Sequence, residues 1–346
     1  MRRRAAASLI AAAVIAAGCG REAERRSGGG RPAAGVAADA GKGAAATTGD
    51  LWFPDVSVLG ERVRVLADPA LRGRGGGTAD EAAAADKIAA WFRAAGLEPG
   101  GDGGYLQPFT RTDGKPSQNV IGVLAAADPK AGHVVIGAHY DHLGVLGGDI
   151  HPGADDNASG VVGLVAIAEA LARAGQRPAV TVVVVAFGSE EDGLLGSAAY
   201  VADPTLPLAQ ARLMVNLDMI GRAAFLTGKD HEMARAYVAA DAIGALASPR
   251  AFDLVAAVKN AGKPEGRPVV AASDFGPFED AIRSQVELRG DHASFSRAGV
   301  RYLWLSTSMH DDYHQPTDTP DKIDPATIAV VGRIVVRVVR GLPAKR

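Results

Sequence analysis

Four short stretches of the chain are apolar without polar alternation: His133–Ala138, Thr181–Phe187, Leu213–Leu217 and Val300–Leu305. Rich in Val, Ile or Leu, they predict strands buried on both faces, as in a parallel sheet covered by helices. Apolar positions at helical spacing lie around and between them. Asp80–Ala95 puts Ile88, Trp91 and Phe92 on one face, with Gly96 as a stop signal, and Val161–Ala174 and Ile328–Val339 also read as helices. Strands alternating with helices predict an α/β fold, a single domain with a mostly parallel central β-sheet flanked by helices.

The N-terminus departs from this pattern. Arg2, Arg3 and Arg4 precede an apolar run from Ala5 to Ala17. That run matches the ~7–15 residues of a signal-peptide core and falls short of the ~20 needed to span a bilayer. Ala16-Ala17-Gly18-Cys19 follows, a small-residue cleavage site ending in the only cysteine of the chain. It is similar to a bacterial lipobox, although Ala16 stands where leucine is usual, so residues 1–18 are expected to be a signal peptide. Lipidation of Cys19 or simple secretion are the two exits, giving an exported protein that is lipid-anchored, periplasmic or secreted. Residues 19–50, rich in Gly, Ala, Ser and Arg, read as a flexible tether, which leaves residues 51–346 for the folded domain.

Composition narrows the function classes. At 346 residues the chain can bury a large core, and 47% hydrophobic with 22% charged residues is ordinary for a globular protein. A net charge of −2 gives no reason to expect a nucleic-acid partner. Contact with a membrane is expected only through the N-terminal anchor. One cysteine allows no intrachain disulfide, so any site chemistry falls to oxygen and nitrogen donors.

Such donors follow each strand-like run. His139-Tyr140-Asp141, Glu190-Glu191 and Asp218 come directly after the first three, and His310 to His314 after the fourth. Open α/β sheets bind ligands beyond the carboxyl ends of their strands, so four ends meeting at one crevice would bring these groups together. Each piece has a plainer reading. Pro152–Gly160, with Asp155-Asp156-Asn157, can be a turn and a helix cap. Glu190-Glu191 can be a solvated pair, and His314 a surface histidine beside a turn. Asp218 follows a buried strand and is costly there unless paired or bound to a cation.

Taken in order, these blocks resemble the dinuclear-zinc aminopeptidases of the bacterial leucyl aminopeptidase, aminopeptidase Y and glutamate carboxypeptidase II group. The likeness runs from about Leu66 to Arg340. It is carried by Gly137–Asp141, Pro152–Gly160, Ser189–Ser197, Asn216–Met219, Asp291–Phe295 and Tyr313–Thr319, with Leu71–Arg74 and Tyr105–Phe109 as a lead-in. The resemblance implies two Zn2+ ions per chain. His139 and Asp218 would bind one, Glu191 and His314 the other, and Asp156 would bridge them ~3.5–4 Å apart. It further implies that Asp141 orients His139, that Glu190 is the general base, and that the Asp156–Asn157 peptide is cis. The expected substrates are peptides cleaved at a free N-terminus. A carboxypeptidase or dipeptidase on the same scaffold remains an alternative, kept open by Arg283, Arg289 and Arg297; a single-zinc glutaminyl cyclase or a noncatalytic homologue fits the ligand set less well. Asp291 and His292 are expected near the site, Tyr313 is a candidate for oxyanion stabilisation, and residues 229–286 match the motifs poorly, reading as a pocket wall, a lid or a helical insertion.

Overall fold

The computed structural model describes residues 51–175, 177–224, 238–307 and 309–343. The expected signal peptide and tether lie outside the described residues. The helices, in chain order, are α1 (Val56–Leu66), α2 (Ala79–Ala94), α3 (Gly160–Ala172), α4 (Leu195–Ala202), α5 (Phe252–Gly262), α6 (Glu279–Val286), α7 (His292–Arg297) and α8 (Pro325–Arg340). The strands are β1 (Glu98–Pro99), β2 (Leu106–Thr110), β3 (Pro116–Leu124), β4 (His133–His139), β5 (Gly144–Leu146), β6 (Asp149–His151), β7 (Thr181–Phe187), β8 (Ala211–Leu217), β9 (Ile243–Ala247), β10 (Val269–Ala271) and β11 (Tyr302–Ser306).

The four apolar runs form the centre of one sheet, in the order β7-β4-β8-β11 with every neighbouring pair parallel. Outside this centre the sheet changes character. β3 joins β7 antiparallel, with β1 and β2 antiparallel on β3, while β9 joins β11 antiparallel and carries β10 parallel. The mixed flanks carry weaker sequence signals than the centre; β9, for example, is the small-residue run Ile-Gly-Ala-Leu-Ala.

Side chains of a strand alternate between faces, and both faces of β4 and β7 are closed. Val134, Ile136, Ala138, Val182, Val184 and Ala186 join the larger core beneath α1, α2, α3, α5 and α8. Val135, Val183, Val185 and Phe187 join a second core with Tyr200 of α4 and Phe295 of α7. That double coverage explains why both strands are buried at every position. Helix α3 crosses the larger core and is buried from Gly160 through Leu171, hence its apolar composition on all sides.

Local signals set several helix ends. Asp55 accepts from Ser57 N before α1, Thr78 accepts from Glu81 N before α2, and Asp324 accepts from Ala326 N with Pro325 opening α8. Gly96 just beyond α2 has φ of 78°, the left-handed geometry that ends helices.

Gly137 of β4 needs its missing side chain, because a Cβ there would sit 2.3 Å from Phe187 Cε2 and 3.3 Å from Met214 Cε. Gly137→Val is therefore expected to lower stability by about 1–3 kcal/mol through overpacking. Urea unfolding should show an earlier midpoint with an unchanged slope.

Candidate metal centre and its cleft

The parallel centre puts the ends of β4, β7, β8 and β11 along one edge, and the donor residues follow these ends. His139 closes β4, Glu190 and Glu191 follow β7 after Gly188 and Ser189, and Asp218 follows β8 directly. Asp156 comes from the segment leading into α3, and His314 from the loop between β11 and α8.

Asp156 occupies the middle. Its Oδ1 lies 3.3 Å from His139 Nε2, and the same nitrogen is 3.7 Å from Asp218 Oδ1. Its Oδ2 lies 3.2 Å from His314 Nε2, which is also 3.2 Å from Glu191 Oε2. Each oxygen of one carboxylate thus faces its own imidazole and its own second carboxylate. Donor atoms of His139, Asp156 and Asp218 fall within 4.8 Å of one another, as do those of His142, Asp156 and Glu191. Nitrogen and oxygen donors so spaced fit divalent cations bonded at ~2.0–2.2 Å. The structure therefore brings together all five side chains expected to hold metal.

Other groups hold these donors in place. Asp318, buried, accepts Asp155 N at 2.9 Å and Asp156 N at 3.0 Å through one oxygen, and receives Arg222 Nη2 at 2.8 Å on the other. Asn157 donates to Leu217 O and accepts from Met219 N, tying the Asp156 segment to the end of β8; the Asp156–Asn157 peptide is cis. Trp304 Nε1 reaches Asp218 Oδ2 at 3.5 Å.

Asp141 sits somewhat differently from expectation. Its carboxylate accepts Glu190 N at 2.9 Å and Glu191 N at 3.2 Å, gripping the acidic doublet by its backbone. Its distance to His139 Nδ1 is 3.7 Å, while its backbone oxygen is 3.3 Å from that nitrogen.

Adjacent residues diverge. Asp155 points away from the donor cluster, accepting Gly221 N at 2.7 Å and pairing with His310 Nε2 at 3.0 Å. His310 is thereby taken out of the metal set. His292 is packed 4.9 Å from the Tyr302 ring and stays neutral, its pKa pushed down to about 3 by burial. Burial pushes the neighbouring Asp291 up to about 7, opposed by His139 and Ser197. Tyr313 stacks on His314 with ring centroids 3.8 Å apart.

His142 is the residue that sequence reasoning missed. Fully buried, it places Nδ1 2.8 Å from Glu191 Oε1 and 3.7 Å from Asp156 Oδ2. A signal was available, since it lies three residues after His139 in the same strand-exit turn.

These groups line a cleft of ≈ 850 Å³ including its open mouth. His139, Asp156, Glu190, Glu191, Asp218 and His314 line it beside Met219, Val286, Trp304, Met309 and Tyr313. Gln285 and Val286 reach it from the end of the poorly matching segment, part of which therefore forms wall; residues 229–237 lie outside the described residues. Glu190 is half-buried, and burial pushes its carboxyl well above the ordinary range, with Asp291, Glu191 and Asp218 adding to the rise against the opposing charge of His139.

The strand ends of a sheet with a parallel centre thus carry a cluster of His, Asp and Glu donors. Residues 119–339 match the model of Peptidase family M28, and the chain belongs to that family. Aminopeptidase YwaD of Bacillus subtilis is 35% identical over 118 residues, covering 34% of this chain and 24% of that protein. The chain spans between about a sixth and a half of the length of the curated relatives it matches. Among solved structures, BSAP, a zinc aminopeptidase from Bacillus subtilis, superposes with a TM-score of 0.61 at 17% identity, covering 84% of this chain and 95% of that one. Porphyromonas gingivalis glutaminyl cyclase gives 0.59 at 22% identity, covering 84% and 99%. At these identities the likeness shows a shared fold.

Without a cation, neighbouring carboxylates hold the two facing imidazoles protonated. Burial alone would lower His139, but Glu190, Asp141, Asp156 and Asp218 raise it well above the ordinary histidine range. His314, likewise opposed by burial, is raised to about 10 by Asp156 and Glu191. A cation must displace these protons, so apparent affinity is expected to fall as pH drops, by about tenfold per pH unit for each proton displaced. Calorimetric titration with zinc at pH 6 and pH 8, in buffers of different ionisation enthalpy, measures both the affinity change and the proton release.

Proposed function

We propose that the protein is an exported zinc exopeptidase carrying two ions per chain, which removes N-terminal residues from peptides. The observation that carries this reading is the two-faced Asp156, with a donor group on each oxygen and the half-buried Glu190 beside them. Zinc, when bound, polarises the scissile carbonyl and lowers the pKa of a coordinated water towards ~7.

The chain's own residues supply the rest. Among the described residues no hydrogen bond occupies the Glu190 carboxylate, and it lines the cleft. In this position it takes the proton from the attacking water and returns it to the departing amine. Asp141 fixes the Glu190 and Glu191 backbones, so one side chain turns to the donor cluster and its neighbour to the reacting water. Trp304, Val286 and Met309 offer an apolar wall for the residue being removed, while the surrounding carboxylates favour a free α-ammonium group. The basic, apolar and small-residue order of residues 1–19 supports export and a lipid anchor at Cys19.

A second reading has one observation in its favour. Of the three arginines that kept a carboxypeptidase or dipeptidase open, Arg283 is engaged by Ala247 O, Tyr302 and Glu279, and Arg297 is exposed and does not line the cleft. Arg289 lines the cleft, where it can receive a substrate carboxylate. In that reading Arg289→Ala raises KM for a free dipeptide at least tenfold and leaves KM for the same dipeptide amide unchanged. Equal KM values across the two substrates and the two proteins remove it.

The primary test compares leucine para-nitroanilide with its N-acetylated form. Turnover of the free amine alone, abolished by a chelator and restored by zinc, is the expected outcome; turnover of the acetylated substrate overturns the N-terminal assignment. Glu190→Gln should keep two zinc ions by mass spectrometry and lose at least 100-fold in kcat, whereas Glu191→Gln should weaken one of the two. Equal zinc loss in both variants contradicts this division of the doublet.

A further inference from the structure

We propose that His142 is itself a ligand, the fourth protein donor to the cation held by Asp156, Glu191 and His314, while the cation at His139 has three. The inference rests on the two-cation reading above and concerns the asymmetry between its halves.

The position of the ring supports it. Beyond β4 the chain turns so that His142 N donates to Arg74 O at 3.3 Å and His142 pairs with Gly75 in an isolated bridge. The ring is buried against Gly153, where an added Cβ would lie 2.5 Å from His142 Cγ. Among the described residues its Nε2 has no hydrogen-bond partner, so the Nδ1 edge is the face through which the ring can act. That edge is 2.8 Å from Glu191 Oε1 and 3.7 Å from Asp156 Oδ2. His314 approaches the same two carboxylates from another direction, its ring 5.6 Å from that of His142 and inclined at 66°. Two imidazoles therefore face the Asp156 and Glu191 carboxylates, and the donor atoms of His142, Asp156 and Glu191 lie within 4.8 Å of one another. In the other group one imidazole meets two carboxylates.

A simpler role for His142 is to donate Nδ1–H to Glu191 and orient it. Either role makes the residue matter; they differ in whether its nitrogen bonds the cation. Bonding to the cation predicts ordered loading, because an extra imidazole strengthens a zinc site. The ion at His142 and His314 then binds first and tighter.

X-ray absorption on the zinc-loaded protein counts imidazoles directly. With one equivalent of zinc, the expected signature is two imidazoles on the ion, and with two equivalents, three imidazoles shared by both ions. His142→Gln, which keeps a hydrogen-bonding group toward Glu191, should lower each count by one and weaken the tighter zinc step at least tenfold by calorimetry. One imidazole at the first equivalent and two over both ions in the unaltered protein overturn the proposal, whether or not the variant folds. Metal analysis separates this from failure of the two-cation reading. A protein that holds one zinc refutes that reading, yet two imidazoles on that ion still uphold His142, and one imidazole refutes it.

Discussion

Carboxylate crowding at the exit of the parallel strands is the constraint on which the rest of the site depends. Two like charges 4 Å apart cost about 4 kcal/mol at an effective dielectric of 20, and Asp156 has donor oxygens of both Asp218 and Glu191 within 4.8 Å. The chain neutralises some of them with its own groups. Asp141 receives two backbone N–H groups, Asp318 receives two more and a guanidinium, and Asp155 takes one N–H and an imidazole. Asp156, Glu191 and Asp218 are treated differently. Their remaining oxygens face imidazoles and one another, the arrangement that bound cations complete. Acids satisfied by the protein are thus separated from acids that face imidazoles, and in Asp155-Asp156 the two kinds are adjacent in sequence.

Arg74 shows how that separation is held rigid. It is a fully buried cation, yet among the described residues its guanidinium forms no direct pair with a carboxylate. It donates instead to the backbone oxygens of Leu66, Tyr140, Pro152 and Gly153. The Tyr140 oxygen lies between His139 and Asp141, those of Pro152 and Gly153 lie just before Asp155 and Asp156, and that of Leu66 closes α1. Burial lowers Arg74 to about 10, opposed by the charges of Asp141, Asp156, Asp318 and Glu191. The residue stays charged at neutral pH, tethers both donor loops and offsets part of the acid field. Glu81 has a comparable place under the doublet, accepting Ser189 N at 2.9 Å and Gly77 N at 2.7 Å from the start of α2.

What could be read from the sequence follows the physics of each element. The buried strands were legible because burial on both faces forces continuous apolar runs, and β7 begins and ends where its run does. The donors were legible because they sit immediately beyond those runs. β9 and β10 were not, since strands of five and three residues at a sheet flank carry no such pattern. The separation of Asp155 from Asp156, and of His310 from His314, depends on partners far away in the chain. Asp155 is fixed by Gly221 and His310, and Asp156 by Asp318, contacts that spacing alone does not encode. His142 was hidden for a related reason: its direction is set by the turn that Arg74 braces.

The two halves of the sheet have different tasks in consequence. Every proposed metal donor lies beyond a parallel central strand or on the segments bound to them, where backbone hydrogen bonds and two packed cores leave little freedom. The cleft wall at Gln285, Val286 and Arg289 comes from the stretch linking the flank to the centre, where α6 has no fully buried residue. Substitutions there change what the cleft accepts at small cost to the donors, because among the described residues no hydrogen bond joins that wall to Asp156, Glu191 or Asp218. The cleft wall can therefore vary at Gln285–Arg289 while the acid arrangement, whose every member is held by another, cannot.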